Sequence, residues 1–187
     1  MDKDEIRAMV RARKTMLDAR ERIEAAERVF GALASMAAFT MAEKVLVYNS
    51  LPDELSTREF IDRWDGRKQF YLPRVNGLDL EILPYDRTRT HLGAFRIEEP
   101  DGEDTADIAD MDMIIVPAVA YDRAGNRVGR GKGYYDRLLS KAAALTVGVC
   151  YDFQLLDEGE IEADSHDVPV KFIIADRNGI IRVTSRR

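Results

Sequence analysis

The sequence predicts an α/β protein with an open, mostly parallel sheet, helices on both of its faces and a hairpin at the C-terminus. Short apolar or β-branched runs alternate with segments of helical apolar spacing, the pattern of βα units. The run Thr146 to Cys150 reads as a parallel strand buried on both faces. Asn178-Gly179, set between Phe172–Ala175 and Ile180–Val183, favours a tight hairpin turn.

Taken in chain order, about the first 38 residues carry helical spacing, in Ile6, Met9, Val10, Met16 and Leu17 and then in Ile23, Ala26, Phe30 and Leu33. Asp18 followed by Glu21 is a capping box, which divides this stretch into two helices near Leu17. Val45 to Tyr48 predicts a strand, and Ser56 with Glu59 caps a helix through Phe60, Ile61 and Trp64. Gln69 to Val75 reads as a strand interrupted by Pro73, and Leu80 to Leu83 as another. The polar stretch from Thr90 to Asp104 reads as loop. From Met113 an apolar strand runs through Val116, stops at Pro117, and leads by a glycine-rich loop to a helix carrying Tyr135, Leu138 and Leu139.

With 187 residues, 45% hydrophobic and 33% charged, the chain fits one globular domain. No run approaches the roughly 18 apolar residues of a membrane helix, and the N-terminus lacks an apolar signal segment, so cytoplasm is the expected compartment. The single Cys150 is expected to be an inert core thiol. A net charge of -6 argues against a nucleic-acid partner. Against that acidic background, Tyr121 to Arg137 holds Arg123, Arg127, Arg130, Lys132 and Arg137 opposed only by Asp122 and Asp136. This local inversion favours a small polyanion.

The run Arg127-Val128-Gly129-Arg130-Gly131-Lys132-Gly133-Tyr134-Tyr135-Asp136-Arg137 has a glycine at every second position from 129 to 133. Glycine tolerates positive φ and lets backbone N–H groups approach phosphate oxygens, while a helix N-terminus adds partial positive charge. Arg130 and Lys132 add full charges. The spacing fits neither GxxxxGK[ST] nor GxGxxG, and a flexible structural turn is the competing reading. Asp136 suits either helix stabilisation or magnesium. His166-Asp167 suits either a site or a loop hydrogen bond. Lys3 and Arg7, one helical turn apart, either reach a phosphate together or are solvated.

The block Val116-Pro117-Ala118-Val119-Ala120-Tyr121-Asp122, with Gly125 and Arg127 to Arg137, resembles the signature of the 5-formyltetrahydrofolate cyclo-ligase family, roughly VPxxAFDxxGxRLGxGxGYYDR. Similar in register are Lys3-x-x-Ile6-Arg7, Tyr48 to Glu54, Leu72-Pro73, Ile97-Glu98-Glu99-Pro100 and His166-Asp167-Val168-Pro169. Arg96 and Lys171 depart from the family pattern.

That resemblance implies a three-layer Rossmann-like fold and the ATP- and Mg2+-dependent conversion of 5-formyltetrahydrofolate to 5,10-methenyltetrahydrofolate, with ADP and phosphate released. It implies that ATP is held by Lys3, Arg7, Arg127, Gly129, Arg130, Gly131, Lys132, Gly133, Tyr134 and Tyr135, and that Asp136 and Asp167 hold magnesium. Asn49 and Glu54 are implied to contact the folate together with the loop from Arg130 to Tyr134. Arg130 and Lys132 are implied to be the catalytic cations. Without the resemblance, Glu54 reads as a solvent-facing loop acid. The expected partners are these small molecules alone, with no membrane and no nucleic acid, on a monomer. A sugar-phosphate isomerase, an acyl-CoA transferase or a non-catalytic sensor are the rival readings, against which the intact glycines and the two acids argue.

Overall fold

The computed structural model describes residues 1–93 and 98–184. The expected α/β fold is present. A seven-stranded sheet is built from β1 (Lys44–Leu46), β2 (Gln69–Asn76), β3 (Asp79–Pro84), β6 (Met113–Val116), β9 (Leu145–Cys150), β11 (Phe172–Ala175) and β12 (Gly179–Arg182), in the order β12-β11-β9-β6-β1-β2-β3. The five inner strands are parallel and the two edge strands antiparallel. The predicted C-terminal hairpin is the β11–β12 pair, turned at Gly179 with φ 71°.

Alternation along each strand divides the interior into two cores, because successive side chains point to opposite faces. Val45, Phe70, Leu72, Met113, Ile115, Val147 and Val149 face one core with the helices α2 (Ala19–Ser35), α3 (Ala37–Met41) and α4 (Arg58–Trp64). Leu46, Tyr71, Ile114, Val116, Cys150 and Ile173 face the other, with Leu138 and Leu139 of α5 (Tyr134–Leu139). Cys150 is buried, as expected, and burial pushes its thiol well above the ordinary value.

The capping box at Asp18 and Glu21 forms as predicted. A second one, Asp2 with Glu5, starts α1 (Lys3–Lys14). The Ser56–Glu59 box does not form. Thr57 is the N-cap of α4, and its hydroxyl donates to the Tyr48 carbonyl at 2.9 Å instead of capping the helix. Pro73 does not interrupt β2. Pairing with β1 ends at Tyr71, so Pro73 has only β3 as a ladder neighbour, the edge-like setting that tolerates a missing N–H. The stretch from Thr90 was expected to be loop, but it holds a two-stranded ribbon, β4 (Thr90–Leu92) and β5 (Glu98–Pro100), in which His91 opposes Glu99. Its polar side chains hid it from a search for apolar periodicity.

Helix α1 lies off the main sheet. Ile6 and Val10 pack on Ala120, Val128, Leu156 and Ile161, over a small sheet of β7 (Ala120–Asp122), β8 (Arg127–Val128) and β10 (Leu155–Leu156). Buried Asp122 shapes the β7–β8 turn: its Oδ1 accepts from the N–H groups of Ala124 and Asn126, each at 3.0 Å. The turn delivers the chain into the glycine run. Among the described residues, no helix is long and apolar enough to cross a membrane.

Candidate functional site

A cavity of about 600 Å³ opens beyond the carboxyl ends of β1 and β6. From β1 the chain crosses to β2 on one side, and from β6 to β9 on the other. This reversal of direction is where open parallel sheets leave a crevice for ligands. Every site residue expected from the sequence lines the cavity: Lys3 and Arg7 from α1, Asn49 and Glu54 after β1, the run Arg127 to Asp136 save Val128, and Asp167. His166 does not line it and is exposed. Lys171 is likewise exposed and away from the cavity. Arg96 and Ile97 fall outside the described residues.

The glycine run bends as its composition requires. Gly131 and Gly133 have φ of 97° and 69°, and Gly133 is the N-cap of α5. Arg7 secures the run to α1 by donating from Nε to the Gly129 carbonyl at 2.9 Å. Arg137 folds back to donate to the Lys132 carbonyl at 2.9 Å. Among the described residues, the exposed Lys132 has no ion-pair partner.

Elsewhere each cation meets an acid. Lys3 Nζ lies 2.6 Å from Asp167 and 2.8 Å from Asp164. Burial works to lower the Lys3 ammonium, but the two carboxylates outweigh it and raise it above its ordinary value. The same balance runs the other way at Asp167, where burial acts to raise the carboxyl while Lys3 and the Asp164 N–H hold it below the ordinary 3.8. Arg127 is buried, pairs with Asp136 at 2.9 Å and lies over the Tyr135 ring at 5.6 Å. Its Nε has no hydrogen-bond partner among the described residues. A buried guanidinium N–H left open beside a cavity is fitted to an anion.

Asp136 Oδ1 also accepts from the Val168 N–H at 3.3 Å, which draws the segment after Asp167 against α5. The two acids thus flank one end of the cavity. Among the described residues, no group of three or more potential metal ligands gathers anywhere. Two carboxylates that line one cavity, Asp136 and Asp167, are oxygen donors of the kind that could hold magnesium together with waters and phosphate oxygens.

Three participants escaped the sequence reading. Lys14, in the last turn of α1, is buried and pairs with Asp53 at 3.2 Å; burial is the main influence lowering its ammonium. Asp53 also meets Arg130 at 3.1 Å, and Glu54 meets Arg130 at 3.3 Å. Burial acts to raise the Asp53 carboxyl, but Lys14 and Arg130 together keep it low. Glu99 on β5 lines the cavity opposite this network, beside Pro73, Val75 and Leu80. Glu99 falls in the motif Ile97-Glu98-Glu99-Pro100, which matches the family in register but points to no role for the acid, and Asp53 adjoins Glu54.

Residues 1–176 match the profile of the 5-formyltetrahydrofolate cyclo-ligase family. The chain is 28% identical over 176 residues to a protein of Escherichia coli K12 named 5-formyltetrahydrofolate cyclo-ligase, covering 89% of this chain and 96% of that one. It superposes on the NMR structure of the 5,10-methenyltetrahydrofolate synthetase of Aquifex aeolicus with a TM-score of 0.88 and 32% identity, over 99% of this chain and 94% of the other. A Mycoplasma pneumoniae 5,10-methenyltetrahydrofolate synthetase shares the fold, with a TM-score of 0.74 at 22% identity over 93% of this chain and 98% of that one.

Proposed function

The chain belongs to the 5-formyltetrahydrofolate cyclo-ligase family, and on that premise we propose that it converts 5-formyltetrahydrofolate to 5,10-methenyltetrahydrofolate with Mg-ATP, releasing ADP and phosphate. The observation that carries this reading is the cavity itself, in which a glycine run with Lys3, Arg7, Arg127, Arg130 and Lys132 faces Glu54 and an apolar wall.

ATP lies along Lys3, Arg7 and the run Arg127 to Tyr135, with the loop N–H groups and cations on its phosphates. Asp136 and Asp167 hold magnesium, which when bound adds positive charge where nucleotide phosphates and the transferring group carry negative charge. The ion pairs of the site support this assignment. Lys3–Asp167 and Arg127–Asp136 are each a cation beside an acid, and a metal-bound polyphosphate presents the complementary charges to both partners.

The folate sits between Asn49, Glu54 and the loop from Arg130 to Tyr134. Its formyl oxygen is an amide oxygen, and N10 cannot close on that carbon while the oxygen remains a poor leaving group. Transfer of the γ-phosphoryl group to the formyl oxygen makes it a good one. N10 then attacks the carbon, the C–O bond breaks as phosphate departs, and N10 gives up its proton to solvent or to the departing phosphate. Arg130 and Lys132 stabilise the charge on the transferring group, and the remaining contribution is alignment. No nucleophilic side chain is required.

The test is to incubate the purified protein with 5-formyltetrahydrofolate and Mg-ATP while following methenyltetrahydrofolate absorbance and ADP together. Equal amounts of both products are expected; no product at saturating ATP refutes the assignment.

A further inference from the structure

Glu99 lines the cavity but pairs with no lysine or arginine among the described residues, unlike Glu54, Asp136, Asp164 and Asp167. It is 7% exposed, and the cavity wall around it is Pro73 and Val75 of β2 with Leu80 of β3. A carboxylate in such surroundings is unfavourable without matched donors. Among the described residues its oxygens have only long contacts, to the Val75 N–H at 3.5 Å and to His91 Nε2 at 3.8 Å. His91 makes its short contact elsewhere, from Nδ1 to Asp101 at 2.6 Å.

Glu54 differs. Its Oε2 accepts from the Leu51 N–H at 2.9 Å and its Oε1 from Arg130 at 3.3 Å, so its oxygens are already engaged. The Glu99 carboxyl is instead held in place by shape. A Cβ on Gly93 would collide with it, so glycine there makes the room it occupies. Arg74 anchors the end of β5 by donating to the carbonyls of Pro100 at 3.1 Å and Gly102 at 2.8 Å, while pairing with Glu81 at 2.6 Å.

We propose that Glu99 is the residue that selects the pterin ring of the substrate, one carboxylate oxygen accepting from N3–H and the other from the 2-amino group. The inference rests on the folate reading above. Two parallel N–H donors on a flat edge match a carboxylate as a guanidinium does. Pro73, Val75 and Leu80 give the ring its apolar support. N5 lies on the other ring of the bicycle, so an anchor at Glu99 directs the formyl group away from this wall and toward Arg130 and Lys132.

The experiment measures equilibrium binding of 5-formyltetrahydrofolate, of its 2-desamino analogue and of ATP to the full chain and to Glu99→Gln and Gly93→Ala, with thermal unfolding of each as a folding control. Glu99→Gln should weaken folate binding about 10- to 100-fold, as expected for a charge-assisted pair of bonds, with ATP affinity unchanged. Gly93→Ala, which keeps the acid but displaces it, should weaken folate binding in the same direction. The unsubstituted protein should prefer the 2-amino compound by a similar factor, and Glu99→Gln should lose that preference. Wild-type indifference to the 2-amino group overturns the inference even if Glu99→Gln fails to fold. Unchanged folate affinity in a folded Glu99→Gln overturns it alone, whereas failure of the unsubstituted protein to bind 5-formyltetrahydrofolate overturns the folate reading as well.

Discussion

Asp136→Asn keeps an oxygen for the Arg127 guanidinium and the Val168 N–H while removing the charge that draws a cation. The variant should therefore stay folded and lose roughly 10²–10³-fold in kcat, the scale of a lost electrostatic stabiliser; steady-state turnover beside a circular-dichroism melt checks both halves. Lys132→Ala removes a side chain with no ion-pair partner among the described residues, so stability should not change, while the KM for ATP should rise about 10-fold. An acid-side dependence follows from Lys3 and Asp167. The Asp167 carboxyl is held below its ordinary 3.8 in the folded state, so its contribution is fully present above that pH and disappears as pH falls through the lower folded value. Lys3→Met should lower the melting temperature at pH 7, and the difference from the unsubstituted protein should shrink as pH falls below 3.8. At this scale the glycine run and its acids were readable because charge and spacing repeat locally. Glu99, Lys14 and Asp53 were not, since their roles depend on partners brought together from β2, α1 and the segment after β1.

At the scale of elements, legibility followed length and local chemistry. The Asp18–Glu21 box is a contact within four residues and was visible, whereas Thr57 is diverted by the Tyr48 carbonyl, a tertiary partner that Ser56 and Glu59 do not reveal. Pro73 read as a strand break because the sequence does not show that β1 stops short of it. The β7–β8 turn permits a quantitative test. Gly125 and Gly66 have nearly the same φ, 84° and 82°, but a Cβ at 125 would lie 2.5 Å from the Val170 carbonyl while one at 66 meets nothing within 4 Å. Gly66→Ala should destabilise by about 1 kcal/mol from backbone strain alone, and Gly125→Ala by about 3 kcal/mol once overpacking is added. Urea unfolding of the two variants decides whether the turn is as tightly fitted as it looks.

For the whole molecule, the parallel core of the sheet was legible because its strands are apolar on both faces. The small sheet under α1 was not, since strands of two or three residues fall below any periodic window. That small sheet ties the first helix to the ligand site, so nucleotide binding should be felt through the entire fold. Mg-ATP at 100 times its dissociation constant should add about 2.7 kcal/mol to the unfolding free energy. Hydrogen exchange should show α1 among the elements most protected on binding, because it carries Lys3 and Arg7.

The seating of α1 also orders events in time. Lys3 meets Asp164 across 161 positions of the chain and Asp167 across 164, and its apolar seat includes Leu156 and Ile161. This helix precedes by more than a hundred residues the segments it packs on, Ala120 and Val128 first and then Leu156 and Ile161. Twelve residues make a marginal helix when isolated in water. Closing so long a loop comes late in folding, so the Lys3–Asp167 end of the cavity forms only after the segment around Asp167 is in place.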